Sequence, residues 1–158
     1  MNTKQNPEVR CFEQKKDLKK AMELNKIALP KPTANSSERL EISPEHMQTA
    51  CLEGKGDFIV VYLGKELVAM GGIRKKDRRT AVINGLKVHP QYIGSSITES
   101  LRNGLEERAR QLEYRKIMTE VKGGNEIGQV LCEKLGFHTV NMITKDGADF
   151  FILEKELK

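Results

Sequence analysis

The stretch that decides the fold of this chain is residues 81–137, AVINGLKVHPQYIGSSITESLRNGLEERARQLEYRKIMTEVKGGNEIGQVLCEKLGF. Two β-rich runs, at residues 80–88 and 115–121, lie in and around it, and a helix-like run follows each of them. A strand, a helix and a second strand in succession normally place the two strands side by side and parallel. The stretch therefore predicts a parallel crossover at the centre of an α/β sheet.

The helix between these two strands begins directly after a tight, serine-rich turn. Ser95 or Ser96 is placed to cap it, and its apolar stripe consists of Ile97, Leu101, Leu105, Ala109 and Leu112. A helix N-terminus directs backbone N–H groups and the positive end of the helix dipole toward one point. The start of this helix is therefore expected to bind a phosphate group. A shorter helix is predicted over residues 127–135.

The residues outside this stretch predict antiparallel strands and two further helices. A short strand at residues 9–13 leads into a helix with Asp17 as its N-cap, which Pro30 and Pro32 end. The other predicted elements are a helix over residues 43–53, strands over 58–63 and 66–73 joined by the turn Gly64-Lys65, and a final strand pair over 137–144 and 149–157. The predicted fold is a mixed, mainly antiparallel α/β sheet with a central parallel pair and helices on both faces, in one domain spanning residues 1–158.

The composition excludes several classes of protein. Of the 158 residues 38% are hydrophobic and 31% charged, and no apolar window approaches the roughly 18 residues that a membrane span needs. The polar N-terminus lacks the apolar core of a signal peptide, and Cys11, Cys51 and Cys132 share no metal-ligand spacing. These features predict reduced thiols, a cytoplasmic location, and neither a metal site nor a membrane partner.

The formal net charge of +5 is compatible with a nucleic-acid partner. However, the densest basic run, RKKDRR at residues 74–79, separates two strand-like segments, so it is interpreted as a solvated hairpin turn. A basic surface equally favours a phosphorylated cofactor or an acidic substrate. The charge pattern therefore argues against nucleic acid as the main partner.

Two motifs fall at a defined spacing within the stretch. The first is Leu86-Lys87-Val88-His89-Pro90, followed by Tyr92 and Gly94. The second consists of Val121, Asn125, Gly128, Leu131, Cys132, Gly136 and Phe137. Together they resemble the GNAT superfamily of N-acetyltransferases, whose patterns are Leu-x-Val-x-Pro and Val-x-x-x-Asn-x-x-Ala-x-x-Leu-Tyr-x-x-x-Gly-Phe. Gly128 and Cys132 stand where that pattern has Ala and Tyr.

The resemblance implies that the fourth and fifth strands splay apart and that acetyl-CoA lies in the opening, with no metal ion. The backbone of Leu86, Lys87 and Val88 would pair with the pantetheine arm, and Asn125 would lie near it on the opposite wall. The N–H groups that would hold the pyrophosphate belong to Ile93, Gly94, Ser95, Ser96, Ile97 and Thr98. The family's loop reads Arg/Gln-x-x-Gly-x-Gly/Ala, so the residues at 93, 96 and 98 depart from it. Side chains at glycine positions obstruct a close phosphate, although Ser and Thr hydroxyls can themselves donate to it.

Two catalytic positions also depart from the family's pattern. Many members carry on the fourth strand a Glu that relays the substrate's proton, whereas Asn84 lies in that neighbourhood here and an amide cannot accept the proton. Glu120 and His89 are the alternatives for the base. Cys132 stands where members commonly carry a Tyr that protonates the departing thiolate. Its thiol could donate that proton or simply pack in the core.

The resemblance implies an N-acetyltransferase that moves an acetyl group from acetyl-CoA to a primary amine of a small molecule or peptide. The alternative is a GNAT fold without catalysis that binds a ligand or partner, because the loop, base and acid positions have all changed residue type. Family specificity is generally set by the first two helices and the late hairpin, here residues 21–53 and 140–150. The former range contains Glu23, Glu38, Glu41, Glu45 and Glu53, which could meet a cationic amine, although surface helices are usually this acidic. Members occur as monomers and as homodimers.

Overall fold

The secondary structure is described for residues 6–27 and 57–157 in a computed structural model. Its elements are, in chain order, β1 (Glu8–Cys11), α1 (Gln14–Ile27), β2 (Asp57–Leu63), β3 (Glu66–Lys75), β4 (Thr80–Val88), a one-turn 3-10 helix (Pro90–Tyr92), α2 (Ser96–Gln111), β5 (Lys116–Lys122), α3 (Glu126–Lys134), β6 (His138–Lys145) and β7 (Ala148–Glu156). The predicted helix over residues 43–53 lies outside the described residues, as do Pro30 and Pro32. None of the described helices is long and apolar enough to cross a membrane.

The described strands form one seven-stranded sheet in the order β1-β2-β3-β4-β5-β7-β6. Neighbouring strands are antiparallel except β4 and β5, which are parallel and connected through α2. The predicted crossover and the mixed, mainly antiparallel fold are therefore confirmed. β4 covers the same residues as predicted, and the ends of the other strands agree to within two residues.

Two hydrophobic cores cover the two faces of this sheet. Phe58 and Tyr62 of β2 lie in one core with α1, while Ile59 and Val61 lie in the other, because side chains alternate along a strand. The second core takes up the apolar stripe of α2 and the inner side of α3, namely Ile97, Leu101, Leu105, Ala109, Leu131 and Leu135. Helices therefore pack on both faces of the described sheet, as predicted. We call these faces the α1 face and the α2/α3 face.

Asp17 does not cap α1, so that prediction is wrong. The helix begins at Gln14, and the Asp17 amide already donates to the carbonyl of Glu13 at 2.8 Å. The buried Asp17 carboxylate instead accepts two hydrogen bonds from Arg10 (2.7 and 2.8 Å), one from the Tyr62 hydroxyl (2.6 Å) and one from the Glu13 amide (2.7 Å). Burial acts to raise the pKa of Asp17, but these hydrogen bonds outweigh it and hold the pKa below its ordinary value. The carboxylate therefore ties α1 to β1 and β2.

Candidate active site

The two parallel strands of the sheet separate partway along their length. Their ladder extends only from the pair Thr80 and Lys116 to the pair Val82 and Met118. Beyond Val82, β4 remains paired with β3, while β5 remains paired with β7. An opening therefore forms between β4 and β5, as the resemblance implies.

A β-bulge accounts for the course that β4 takes away from β5. Gly71 of β3 is opposed by two residues of β4, Gly85 and Leu86. Gly85 has a φ of +61°, in the left-handed region that glycine adopts without a steric penalty. A bulge with a left-handed glycine bends its strand and increases the local twist. The divergence of the two strands is thus built into the β4 backbone.

The opening is a cleft of about 560 Å³ whose two halves differ in chemistry. Its walls come from β4 and β5, from α3 and from the β6–β7 hairpin. The half on the α2/α3 face is lined by the uncharged side chains of Leu86, Thr119, Val121, Asn125, Leu131 and Cys132. The half on the α1 face is lined by Arg74, Asn84, Lys87, Glu120, Lys122 and Lys145. We call these the neutral half and the charged half.

Strand register assigns the charged half to the α1 face. Asn84 lies in the same cross-strand row as Phe58, which belongs to the core beneath α1. On β5, Val121 belongs to the opposite core, and Glu120 and Lys122 flank it. Because side chains alternate along a strand, Glu120 and Lys122 point to the α1 face.

Asn84 lines the charged half as a buried side chain, with 6% of its surface exposed. Neither Oδ1 nor Nδ2 has a hydrogen-bond partner among the described residues. Gly72 lies directly across the β3–β4 ladder, and a Cβ at that position would be 2.6 Å from Oδ1. Buried polar atoms in folded proteins are nearly always hydrogen-bonded. The orphaned amide therefore indicates that the charged half receives a polar ligand or water.

The backbone after the bulge presents an open edge to the cleft. The His89 amide donates to the Val68 carbonyl of β3 at 2.8 Å. Backbone groups of successive residues in a strand point to opposite sides, so the N–H and C=O groups of Val88 and Leu86 face away from β3, toward the opening. The edge expected to pair with pantetheine is therefore accessible from the neutral half. The side chain of Lys87, by contrast, is buried on the α1 face.

The loop before α2 uses several of its own donors. Ser95, rather than Ser96, is the N-cap, and its Oγ accepts from the Ile97 amide at 3.2 Å. The amide of Gly94 donates to Thr98 Oγ1 (3.0 Å), and the amide of Thr98 donates to the Ser95 carbonyl (3.1 Å). The carbonyl of Tyr92 accepts three hydrogen bonds. One comes from the Thr98 hydroxyl (3.2 Å), and two come from Ser95, through its hydroxyl (2.5 Å) and its amide (3.2 Å). Within the described residues, the amides left without a protein acceptor are those of residues 93 and 96.

Two further features make this loop suitable for an anion. Gly94 has a φ of +80°, a conformation that favours glycine, so no side chain covers the backbone just before α2. Lys134, at the end of α3, brings its Nζ to 3.5 Å from the point where a Gly94 Cβ would lie. The exposed Ser96 contributes both an amide and a hydroxyl at the same helix terminus. A phosphate therefore fits here, although fewer loop amides are available to it than the sequence predicts.

Asn125 lines the neutral half and caps α3. Its Oδ1 accepts from the Gly128 amide at 3.0 Å. A Cβ at Gly128 would lie 2.6 Å from the Asn125 Nδ2, so the side chain folds over the glycine.

The three candidates for proton transfer lie in different places. Glu120 lines the charged half, and its Oε1 is 2.7 Å from Lys145 Nζ. Cys132 lines the neutral half and is buried. His89 lies outside the cleft, where its Nδ1 accepts from the Gln91 amide at 3.2 Å and the residue borders a separate cavity of about 450 Å³. The structure therefore brings Glu120 and Cys132 to one cleft and leaves His89 out of it.

The sequence interpretation missed the cations of the charged half. It places Arg74 in a solvated turn, whereas β3 extends through Lys75 and Arg74 lines the cleft. It does not single out Lys122 and Lys145. These two lysines line the same cleft because β7 pairs with β5 and β6 pairs with β7. No local pattern identifies either lysine.

Comparisons with known proteins agree with this geometry. The model of the acetyltransferase (GNAT) family matches residues 21–137. No curated protein sequence matches the chain significantly.

Several solved structures share the fold at low sequence identity. The PaiA N-acetyltransferase of Thermoplasma acidophilum, solved with coenzyme A, is 18% identical with a TM-score of 0.76, and the alignment covers 96% of this chain and 99% of that one. The ribosomal-protein-S18-alanine N-acetyltransferase of Escherichia coli is 18% identical with a TM-score of 0.71, over 96% of this chain and 94% of that one. YncA of Salmonella typhimurium, solved with acetyl-CoA, is 14% identical with a TM-score of 0.71, also over 96% and 94%. Because the family model covers more than half of its length, the chain belongs to the GNAT family of acetyltransferases.

Proposed function

We propose that this protein is an acetyl-CoA-dependent N-acetyltransferase that acts on a primary amine. The observation that carries the proposal is the open β4 edge at Leu86 and Val88, which faces the uncharged half of the cleft. A pantetheine arm is an uncharged chain with amide groups, so it suits an exposed strand edge in neutral surroundings. The charged half across the sheet would then receive the amine.

The residues near α2 suit the other end of acetyl-CoA. The amide and hydroxyl of Ser96, the amide of Ile93 and the cation of Lys134 would hold the diphosphate beside Gly94. Ser95, Ile97 and Thr98 would support this loop from within, since their hydrogen bonds shape the turn. Asn125 would border the pantetheine from the opposite wall.

The cleft residues would act on the reaction in three ways. Acetyl-CoA supplies an activated acyl group, and the Val88 N–H would polarise its carbonyl oxygen as an oxyanion donor does. Holding both reactants in one cleft lowers the barrier further through proximity. Glu120 would take the proton of the attacking amine, because it is a carboxylate on the charged half, and Cys132 would return a proton to the leaving thiolate.

Calorimetric titration with acetyl-CoA and acetyl-CoA-dependent thiol release over a panel of amines test the proposal. We expect binding in the micromolar to millimolar range and thiol release above the rate without amine. Absence of binding at millimolar acetyl-CoA would overturn the proposal. Binding without turnover on any amine would instead support the alternative, a GNAT fold that only binds its ligand. The observation that favours this alternative is that several loop amides already donate to groups within the protein.

Variants of the two proton-transfer candidates test their roles. Glu120→Gln is expected to lower kcat by about 10²-fold or more, as removal of a general base usually does. Glu126→Gln is the matched control, because Glu126 is exposed on α3 outside the residues that line the cleft. Cys132→Ala is expected to lower kcat while leaving acetyl-CoA affinity unchanged, and Cys11→Ala serves as its control. Unchanged kcat in either test variant would remove that residue from the mechanism.

A further inference from the structure

The charged half of the cleft carries a recognition chemistry that the proposed function does not require. We propose that it is an acceptor subsite selective for primary amines that bear an oxyanion, a carboxylate or a phosphate. Arg74 and Lys122 would bind the oxyanion and Asn84 would bind the amine. This inference rests on the proposed function, because it names the class of amine that the same cleft accepts.

Cations outnumber carboxylates in this half of the cleft. Four cationic side chains line it, against the carboxylates of Glu120 and Asp146. The Glu120 carboxylate is matched by Lys145 at 2.7 Å. Arg74 and Lys122 have no ion-pair partner among the described residues, so their charge is available to a ligand.

Acetyl-CoA would not use these two cations. Its phosphates would lie at the start of α2, beside Gly94 and Lys134. Its pantetheine is uncharged and would occupy the neutral half, on the opposite face of the sheet from Arg74 and Lys122. A second anion is therefore needed to match the charged half, and the acceptor is the remaining reactant.

The two cations lie at different levels of the opening. Arg74 lies on β3 opposite Val82, in the last row where β4 still pairs with β5, whereas Lys122 ends β5 four residues beyond Met118, the partner of Val82. Both line the charged half, so an oxyanion bound between them would be attracted by both charges. A guanidinium offers two parallel N–H donors that match a carboxylate or phosphate, which a lysine alone cannot do.

The orphaned side-chain amide of Asn84 can bind the amine end of the acceptor. Its Oδ1 can accept from an amine N–H, and its Nδ2 can donate to an oxygen of the same ligand. An acceptor that carries both groups would satisfy both atoms at once. The amide does not titrate, so it would orient the amine and leave proton transfer to another group.

Four probe amines of similar size test the selectivity. They are 4-aminobutyrate, 3-aminopropyl phosphate, 4-aminobutanamide and 1,4-diaminobutane. We expect kcat/KM for the first two to exceed that for the neutral amide about tenfold or more, as a charge-assisted contact would give, and the diamine to be the poorest. The ratio between carboxylate and phosphate then identifies the preferred oxyanion. An amide or diamine preferred over both anionic amines would overturn the inference.

Calorimetric binding of the same amines in the presence of CoA separates this inference from the proposed function. Preferential binding of the anionic probes supports the subsite even if no probe is turned over. Equal or absent binding of anionic and neutral probes by a protein that binds acetyl-CoA overturns the subsite while leaving cofactor binding intact.

Charge-reversal variants locate the recognition. Arg74→Glu and Lys122→Glu are each expected to lower kcat/KM for the anionic amines about tenfold or more and to lower that for the neutral amide by a clearly smaller factor. Arg78→Glu is the matched control, because Arg78 lies in the same hairpin but does not line the cleft. An equal loss in the control, or no loss in the two test variants, would refute the assignment.

Asn84→Leu tests the amide separately. Leu has a similar size and removes both orphaned polar atoms, so we expect an unchanged or higher Tm together with a KM for the amine raised about tenfold. Acetyl-CoA affinity should stay the same. A merely structural Asn84 would lower the Tm and leave the KM unchanged, and that result would remove it from the subsite.

Discussion

Replacement of Gly72 by Ala is expected to destabilise the protein and displace Asn84 at the same time. Gly72 is buried in β3, and an added Cβ would lie 2.6 Å from Asn84 Oδ1 and 3.0 Å from Cδ2 of Phe58. Nonbonded heavy atoms ordinarily approach to about 3.5 Å. The methyl group can therefore be accommodated only if the amide rotates or β3 and β4 shift.

Two opposing effects set the size of this change. Gly→Ala at a position whose backbone Ala tolerates stabilises by roughly 0.4–1 kcal/mol through the unfolded state, and Gly72 is not one of the glycines with positive φ. An extra methyl group in a packed core costs about 1–3 kcal/mol. We therefore expect a net loss of about 1–2 kcal/mol in the free energy of unfolding. The corresponding fall in Tm is about 2–8 °C for a chain of this length.

A double-mutant cycle with Asn84→Ala separates the two contacts. Without Oδ1 the closest contact is removed and the Phe58 contact at 3.0 Å remains, so the effect of Gly72→Ala should shrink by about 0.5–1.5 kcal/mol. Gly71→Ala is the matched control, because its Cβ would meet the flexible Leu86 side chain on the opposite face at 3.0 Å. Its effect should be the same in both backgrounds to within about 0.5 kcal/mol.

Urea unfolding monitored by circular dichroism and by tyrosine fluorescence measures these values, since the chain has three Tyr and no Trp. In parallel, Gly72→Ala should raise the KM for the amine without changing acetyl-CoA affinity. A Gly72→Ala effect that is equally large with and without the Asn84 amide would show that the two residues do not pack as described. A stabilised single variant would also refute the reasoning.

Three further predictions concern the frame and the cofactor half. Asp17→Asn should lower stability by about 1.5–3 kcal/mol at pH 7, because it weakens the hydrogen bonds to Arg10 and Tyr62 while Arg10 keeps Glu13 at 3.3 Å. The folded pKa of Asp17 is depressed, so its contribution to stability is present above the unfolded value of about 3.9 and is lost as pH falls through the folded pKa. Urea titrations should therefore show the two proteins converging below about pH 4. Gly85→Ala should lower the free energy of unfolding by about 1–2 kcal/mol, because the φ of Gly85 is +61°. It should also weaken acetyl-CoA binding in calorimetry. Unchanged affinity would mean that the bulge does not shape the β4 edge. Lys134→Ala should weaken acetyl-CoA binding about two- to fivefold at low salt and less at high salt, because salt screens an exposed charge. The control Glu133→Ala should not weaken binding. Equal losses in both variants would contradict a role for the Lys134 charge.

The elements that sequence patterns predicted well are those whose determinants lie within a few residues. Ser95 caps α2 by accepting from the amide two residues later, and Gly64-Lys65 closes the β2–β3 hairpin as predicted. The bounds of β4 follow from its own β-rich run and from Pro90. Such caps, turns and runs are decided locally, so the crossover could be predicted without knowledge of the tertiary structure, whereas the opening beside β4 was implied by the resemblance to the GNAT family.

Residues with distant partners were beyond the reach of such patterns. Asp17 has the residue type and position of a helix cap, but its carboxylate is bound by Tyr62, 45 residues later in the chain. In the loop before α2, the sequence indicates six possible phosphate donors, while the folded turn already uses the amides of Gly94, Ser95, Ile97 and Thr98. Which donors remain depends on the path of the backbone, which residue types alone do not determine.

The sequence by itself determined the central crossover and, through its resemblance to the GNAT family, implied the fold and the opening beside β4; it also singled out Asn84 and Glu120. Only the tertiary structure decided that these two residues share one half of the cleft with several cations. Arg74, Asn84 and Lys122 come from three different strands, and they line one cleft because the strand order places β3, β4 and β5 side by side and because all three side chains point to the α1 face. A register shift of one residue moves a side chain to the opposite face of a sheet. The chemistry of the charged half is therefore a property of the assembled sheet rather than of any single segment.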